Sequence, residues 1–211
     1  VNKQYYTDPQ KIFLISGSGT EAKTIFGKRE NVNRSELTDQ LKQYQTEFSE
    51  EAVFIEKFLT LLQHPRAFHR DHLPGHMTGS AWIINHDRTK VLLIHHAKLD
   101  RWLQPGGHAD GDENILAVAR KEAEEETGLQ NLTLLHSGLF DIDIHMIPER
   151  KDFPRHDHYD IRFAFEAAED ERLEISPESK DLAWISIDDL ASVTNSNHSM
   201  TRMAKKVKAL F

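Results

Sequence analysis

The 211-residue chain contains no cysteine. Disulfide scaffolds, thiolate metal sites and cysteine nucleophiles are excluded together, and a cytoplasmic setting is expected. Long apolar runs are also missing. The longest, Ile12 to Ile15 and Val91 to Ile94, are strand-sized, far short of the roughly 18–20 residues that span a bilayer. The opening VNKQYYTDPQ lacks the basic-then-apolar order of a secretory signal. Positive charge is scarce: 26 Lys and Arg face 34 Asp and Glu, a formal net charge of −8. With no long basic run before the last ten residues, capture of extended nucleic acid is disfavoured. A phosphate ligand would need local attraction, and a divalent cation is the obvious source.

What is present divides into two styles of sequence. Residues 36 to 63 carry a helical period, with Leu37, Leu41, Tyr44 and Phe48 on one face, and Ser49 before Glu50 and Glu51 as a fresh N-cap. Two helices are therefore expected, the second stopped by Pro65. Ahead of them, Ile12 to Ile15 leads into a Gly-Ser-Gly turn. After HRDHLPGHMTG, residues 69 to 79, strands take over. SAWIIN and KVLLIHH flank HDRT as a hairpin. In HYDIRFAF, Tyr159, Ile161, Phe163 and Phe165 alternate with Asp160, Arg162 and Ala164, the pattern of a half-buried strand. DLAWISIDDL reads as a strand entering a helix, and a short basic helix closes the chain around Met200 to Phe211.

The chemistry concentrates between Leu103 and Leu129. Pro105, Gly106, Gly107 and Gly111 form a tight loop that lets backbone approach a ligand. Asp110 and Glu113 have capping-box spacing, so a helix is expected over about 112–127, closed by Gly128 in a left-handed conformation. Ile115, Ala119 and Ala123 make an apolar stripe for packing on a sheet. Glu122, Glu125 and Glu126, at i, i+3 and i+4, share a face within roughly 6 Å, where like charges repel. A solvated helix face accounts for such glutamates in most proteins. A hard cation with oxygen ligands would remove the repulsion.

From Gly107 to Leu129 the register is Gly, five residues, Glu113, seven residues, then KEAEEETGL. It resembles the Nudix box, G-x5-E-x7-R-E-U-x-E-E-x-G-U, with Lys121 in place of the arginine. WLQPGG before the box and WISIDDL, Trp184 to Leu190, add to the likeness, which covers about residues 76 to 195. The resemblance implies a Nudix-type α/β/α sandwich with a mixed sheet, residues 71–211, behind a mainly helical extension, residues 1–70. It further implies a Mg²⁺- or Mn²⁺-dependent pyrophosphohydrolase acting on a small-molecule nucleoside diphosphate derivative. Glu122, Glu125, Glu126 and the Gly107 carbonyl would be metal ligands. Glu122, Glu125, Glu113 and Lys121 would serve catalysis, with Glu113 orienting and Glu125 assisting water activation. Lysine offers a point charge where arginine offers a planar fork, so weaker bracing of the glutamates is expected. A non-catalytic module that senses a nucleotide metabolite is the alternative.

Outside the box, Arg150, Arg155, His158 and Asp160 are candidates for binding substrate, the cations of this loop by gripping its phosphates, against the reading of an ordinary exposed loop. Glu149, Asp157, Asp160 and Glu166 are candidates for a general base. Trp102 and Tyr159 could stack on a base, though strand aromatics are more often core. Thirteen histidines include His64, His69, His72 and His76 in one stretch, but their spacing suits no zinc pattern well. No membrane partner is expected, and a homodimer stays open.

Overall fold

The computed structural model describes residues 31–151, 153–169 and 172–211; the apolar run and Gly-Ser-Gly turn at 12–19 lie outside them. The first helix, α1 (Arg34–Gln43), is capped by Asn33, whose side chain accepts from the Glu36 N–H at 3.1 Å. The second, α2 (Ser49–Leu61), starts without the expected Ser49 cap: Ser49 is already helical, and Phe48 precedes it with no side-chain cap. The helices part at Tyr44, which is extended and whose hydroxyl donates to the buried Glu51 carboxylate at 2.8 Å.

Eight strands follow in one mixed sheet: β1 (Gly75–Ile84), β2 (Lys90–His96), β3 (Arg101–Leu103), β4 (Gly106–His108), β5 (Leu132–Leu134), β6 (Asp141–Ile147), β7 (His156–Ala167) and β8 (Ser179–Ser186). The expected β1–β2 hairpin forms. Asn85 holds its turn by accepting the Thr89 and Lys90 N–H groups at 2.9 and 2.8 Å. Strand β1 is buried throughout: it pairs with β7 in parallel on one edge and with β2 and β4 antiparallel on the other, while Met77, Ala81 and Ile83 enter one core and Trp82 and Ile84 another. Helix α3 (Ile115–Thr127) lies between β4 and β5, and α4 (Leu190–Val193) and α5 (His198–Ala209) follow the sheet.

Alternation along β7 assigns the two faces. Ile161, Phe163 and Phe165 enter a core shared with Leu37 and Leu41 of α1, Phe58 of α2, and Ile115, Ala119 and Ala123 of α3. The helical segment before the sheet thus shares the same core as the sheet. The opposite face was expected to meet solvent, yet Asp160 and Arg162 are buried there. Helix α5 covers that face with Met200, Met203, Ala204 and Val207, against Trp82 and Ala164. Its expected basic character divides: Lys205 and Lys208 stay exposed, whereas two cations turn inward. Arg202 and Lys206 reach the buried Asp141 at 2.8 and 2.7 Å, and Arg162 joins Asp141, Asp143 and Asp160. A half-buried pattern therefore became a doubly buried strand because paired charges, rather than water, satisfy its polar face. Among the described residues, no helix is long and apolar enough to cross a membrane.

Candidate active site

Helix α3 begins later than the sequence suggests. Its N-cap is Asn114, which accepts the Ala117 N–H at 3.3 Å and also the Val32 N–H at 3.0 Å. The Asp110–Glu113 capping box does not form, because both carboxylates are engaged elsewhere. Asp110 makes a two-point ion pair with Arg70, and Glu113 takes Arg34 at 2.7 and 2.9 Å. Arg34 also donates to the carbonyls of Leu62, His64 and Pro65, so one side chain ties the segment after α2 to the head of α3. The other end is as expected: Gly128, at φ 79°, closes the helix in the left-handed region.

The helix rests on β1 at Gly79, where an added Cβ would meet the Ile115 carbonyl at 2.9 Å. That close approach brings the C-terminal half of α3 over β4. A Cβ at Gly107 would lie 2.5 Å from the Glu122 carboxylate, so the absence of a side chain there makes room for it. Glu126 accepts the Gly106 N–H at 3.0 Å. Burial pushes the Glu126 carboxyl up to about 7; the Gly106 bond opposes this, while Glu122, Glu178 and Glu125 add repulsion. Burial also raises Glu122, offset by Lys121 and reinforced by Glu125. Two partly desolvated carboxylates beside strand β4, where the loop expected at 105–107 is paired instead with β1, form an all-oxygen donor set with more negative charge than its neighbours neutralise. That chemistry fits Mg²⁺ or Mn²⁺.

Lys121 lies 3.4 Å from Glu125 and 4.0 Å from Glu122. The side chain is 64% exposed, so these contacts are screened and contribute little. Glu125 is itself mostly exposed at the rim. Glu178, which the sequence did not single out, acts electrostatically on both Glu122 and Glu126. No local spacing reveals it, since it sits just before β8, more than fifty residues from α3. The same Glu178 acts on His96, as do Lys98 and Arg150.

The remaining sequence candidates separate. Arg150 and Arg155 are exposed. Asp160 is 2% exposed and accepts from Thr78, Ser80 and Arg162 at 3.0, 2.8 and 2.7 Å, so its oxygens are committed inside the protein. Glu166 pairs with Arg88 and His86. Asp157 is partly buried and Glu149 exposed. Tyr159 packs edge-on against Phe58 in the core, and Trp102 lies on His95 with ring centroids 5.0 Å apart. His64 stacks near His72, whereas His76 and His158 belong to a different group with His108.

A model of the NUDIX domain matches residues 75–207. The chain is 28% identical over 138 residues to a probable DHNTP pyrophosphohydrolase of Lactococcus lactis subsp. cremoris, covering 64% of this chain and 81% of that protein. Among solved structures, a C. elegans Ap4A hydrolase binary complex superposes with a TM-score of 0.52 at 18% identity, covering 63% of this chain and 95% of that one. A NUDIX family hydrolase from Clostridium perfringens is 29% identical at a TM-score of 0.49, covering 64% and 98%.

Proposed function

The chain belongs to the NUDIX domain family, and from that premise we propose a metal-dependent pyrophosphohydrolase that cleaves the diphosphate linkage of a nucleoside diphosphate derivative. The observation that carries the reading is the crowding of Glu122 and Glu126 against Gly106 and Gly107. Glu122, Glu126, Glu125 and the Gly107 carbonyl would hold Mg²⁺ or Mn²⁺. When bound, the ion supplies charge neutralisation for the diphosphate and acidifies water.

The chain's own groups divide the rest of the work. Gly106 fixes the Glu126 carboxylate, and Gly107 leaves room for that of Glu122. Lys121 meets Glu122 and Glu125 on the exposed side, where screening leaves it only a weak brace. Arg150, with Arg155 on the same loop, draws in the phosphates; among the groups outside the box, Arg150 and Glu178 share a neighbour in His96. Hydrolysis joins the water oxygen to one phosphorus, releases the bridging oxygen on the other, and frees a proton. The exposed Glu125 and the nearby Glu178 are the carboxylates placed to accept it.

The test is a panel of nucleoside diphosphate compounds, with DHNTP and Ap4A included, assayed with and without Mg²⁺ or Mn²⁺. Turnover that requires metal and disappears in Glu126→Gln is the expected result. Full activity in Glu126→Gln would refute the assignment. Tight binding of a panel member without turnover would favour a sensor.

A further inference from the structure

Three strands of the sheet bring histidines together. His76 is on β1, His108 on β4 and His158 on β7, with 76 and 158 in direct register across the parallel pair. Their ring centroids stand 4.9 to 5.2 Å apart, and one ligand nitrogen from each lies within 4.8 Å of the others. Among the described residues, no other histidine or carboxylate group of three meets that spacing.

His76 is the informative member. It is fully buried, and its Nε2 has no hydrogen-bond partner. Its Nδ1 is 3.3 Å from the His72 carbonyl, which requires the proton on Nδ1 and leaves a bare lone pair on Nε2. Leaving such a buried acceptor unsatisfied is unfavourable. The carbonyl-bound Nδ1 is also how metal-ligating imidazoles are held in orientation. His156 is fixed in the same way by the Pro154 carbonyl at 2.9 Å and flanks the group, its Nε2 3.3 Å from that of His158. Arg70, the cation that bears on His76 and His108, is already paired with Asp110.

We propose that His76, His108 and His158 form a second metal site, selective for a borderline divalent transition ion of the Zn²⁺ class and distinct from the carboxylate site. Three imidazoles with an open fourth position are the donor set such ions favour, whereas Mg²⁺ favours carboxylate and water oxygen. Tetrahedral Zn–N bonds place the nitrogens about 3.4 Å apart, a distance that small rotations of these side chains reach. His108 follows Gly107 directly on β4, so the two sites are neighbours in the chain with opposite ligand preferences. The His64, His69, His72 and His76 stretch does not supply this set. Only His76 belongs to it, because the other ligands arrive through strand pairing.

The full chain, stripped with chelator and kept in excess Mg²⁺, is titrated with Co²⁺ as a visible-absorbing probe and then with Zn²⁺. Expected are one equivalent of Co²⁺ with d–d bands of a nitrogen-rich site, displacement by Zn²⁺, and a Zn²⁺-dependent rise in melting temperature. The doubly substituted Glu122→Gln, Glu126→Gln protein should keep this binding. His108→Asn and His158→Asn should weaken it by more than about tenfold. Melting of the metal-free variants checks that they are folded, and His76→Ala is read only if it folds. Absence of stoichiometric binding in the wild type overturns the proposal. So does binding lost in the glutamine double variant and kept in folded histidine variants. The readout is metal uptake, so failure here is separable from failure of the hydrolase reading.

Discussion

Gly107 faces the carboxylate of Glu122 so closely that a Cβ on it would lie 2.5 Å from the Glu122 carboxyl carbon and from Oε2. The obstruction is steric, and the atom that must give way is a proposed ligand. Gly107→Ala should therefore displace Glu122 and lower kcat/KM by about a hundredfold, the scale of a displacement near 1 Å in an active site. Its melting temperature should stay close to wild type, because the far end of a flexible side chain can move. A Gly107→Ala protein with unchanged activity would remove Glu122 from the site.

Lys121 touches Glu122 and Glu125 only through exposed, point-charge contacts. Lys121→Arg should hold or raise turnover by adding a planar fork. Lys121→Met should lower kcat/KM by no more than about fivefold, since an exposed pair contributes at most about 1 kcal/mol. A sharp fall in Lys121→Arg would show that the lysine does something an arginine cannot.

Arg34 serves Glu113 and three backbone carbonyls at once. Arg34→Ala should destabilise the fold by about 1.5–3 kcal/mol, measured by urea unfolding. Glu113→Gln should cost less, because the carbonyl contacts remain. A double-mutant cycle should show coupling between the two. Additive effects would mean the Arg34–Glu113 pair is incidental.

Arg202 is buried against Asp141 and Asp143. Arg202→Ala should destabilise by about 3–5 kcal/mol, because it strips a partner from charges that stay inside. Arg202→Met, which also fills the space, should fold better than Arg202→Ala.

The same network sets a pH dependence. Burial works to raise Asp141 and Asp143, but Arg162, Arg202 and, for Asp141, Lys206 outweigh it, and both carboxyls fall below the ordinary 3.8. Depressed carboxylates contribute stability that is full above that ordinary value and is lost as pH falls through the folded one. This network's share of the denaturant midpoint, read as the difference between wild type and Arg202→Met, should thus be steady from neutral pH down to about 5 and drop progressively below about 4. In Arg202→Met the acid-dependent loss should shrink; an unchanged slope would place the acid sensitivity elsewhere.

Local signals carried much of this protein. Periodicity placed both early helices and the β1–β2 hairpin, and the spacing of Glu122, Glu125 and Glu126 put them on one face of α3. Gly128 closes that helix in a left-handed conformation that glycine adopts without a Cβ penalty. These follow from contacts within a few residues, which sequence order exposes directly. Signals that depended on competition were misread. Asp110 and Glu113 have capping spacing, yet Arg70 and Arg34 claim them, and Asn114 caps instead.

Tertiary structure decided the rest by pairing strands distant in sequence. Laying β7 parallel to β1 buried Asp160 and Arg162 under α5, where ion pairs replaced the water that alternation implied. It also put His158 beside His76, and β4 added His108. No spacing along the chain encodes that group. Its members share a neighbourhood only because hydrogen-bond register across a sheet aligns residues that sequence order separates.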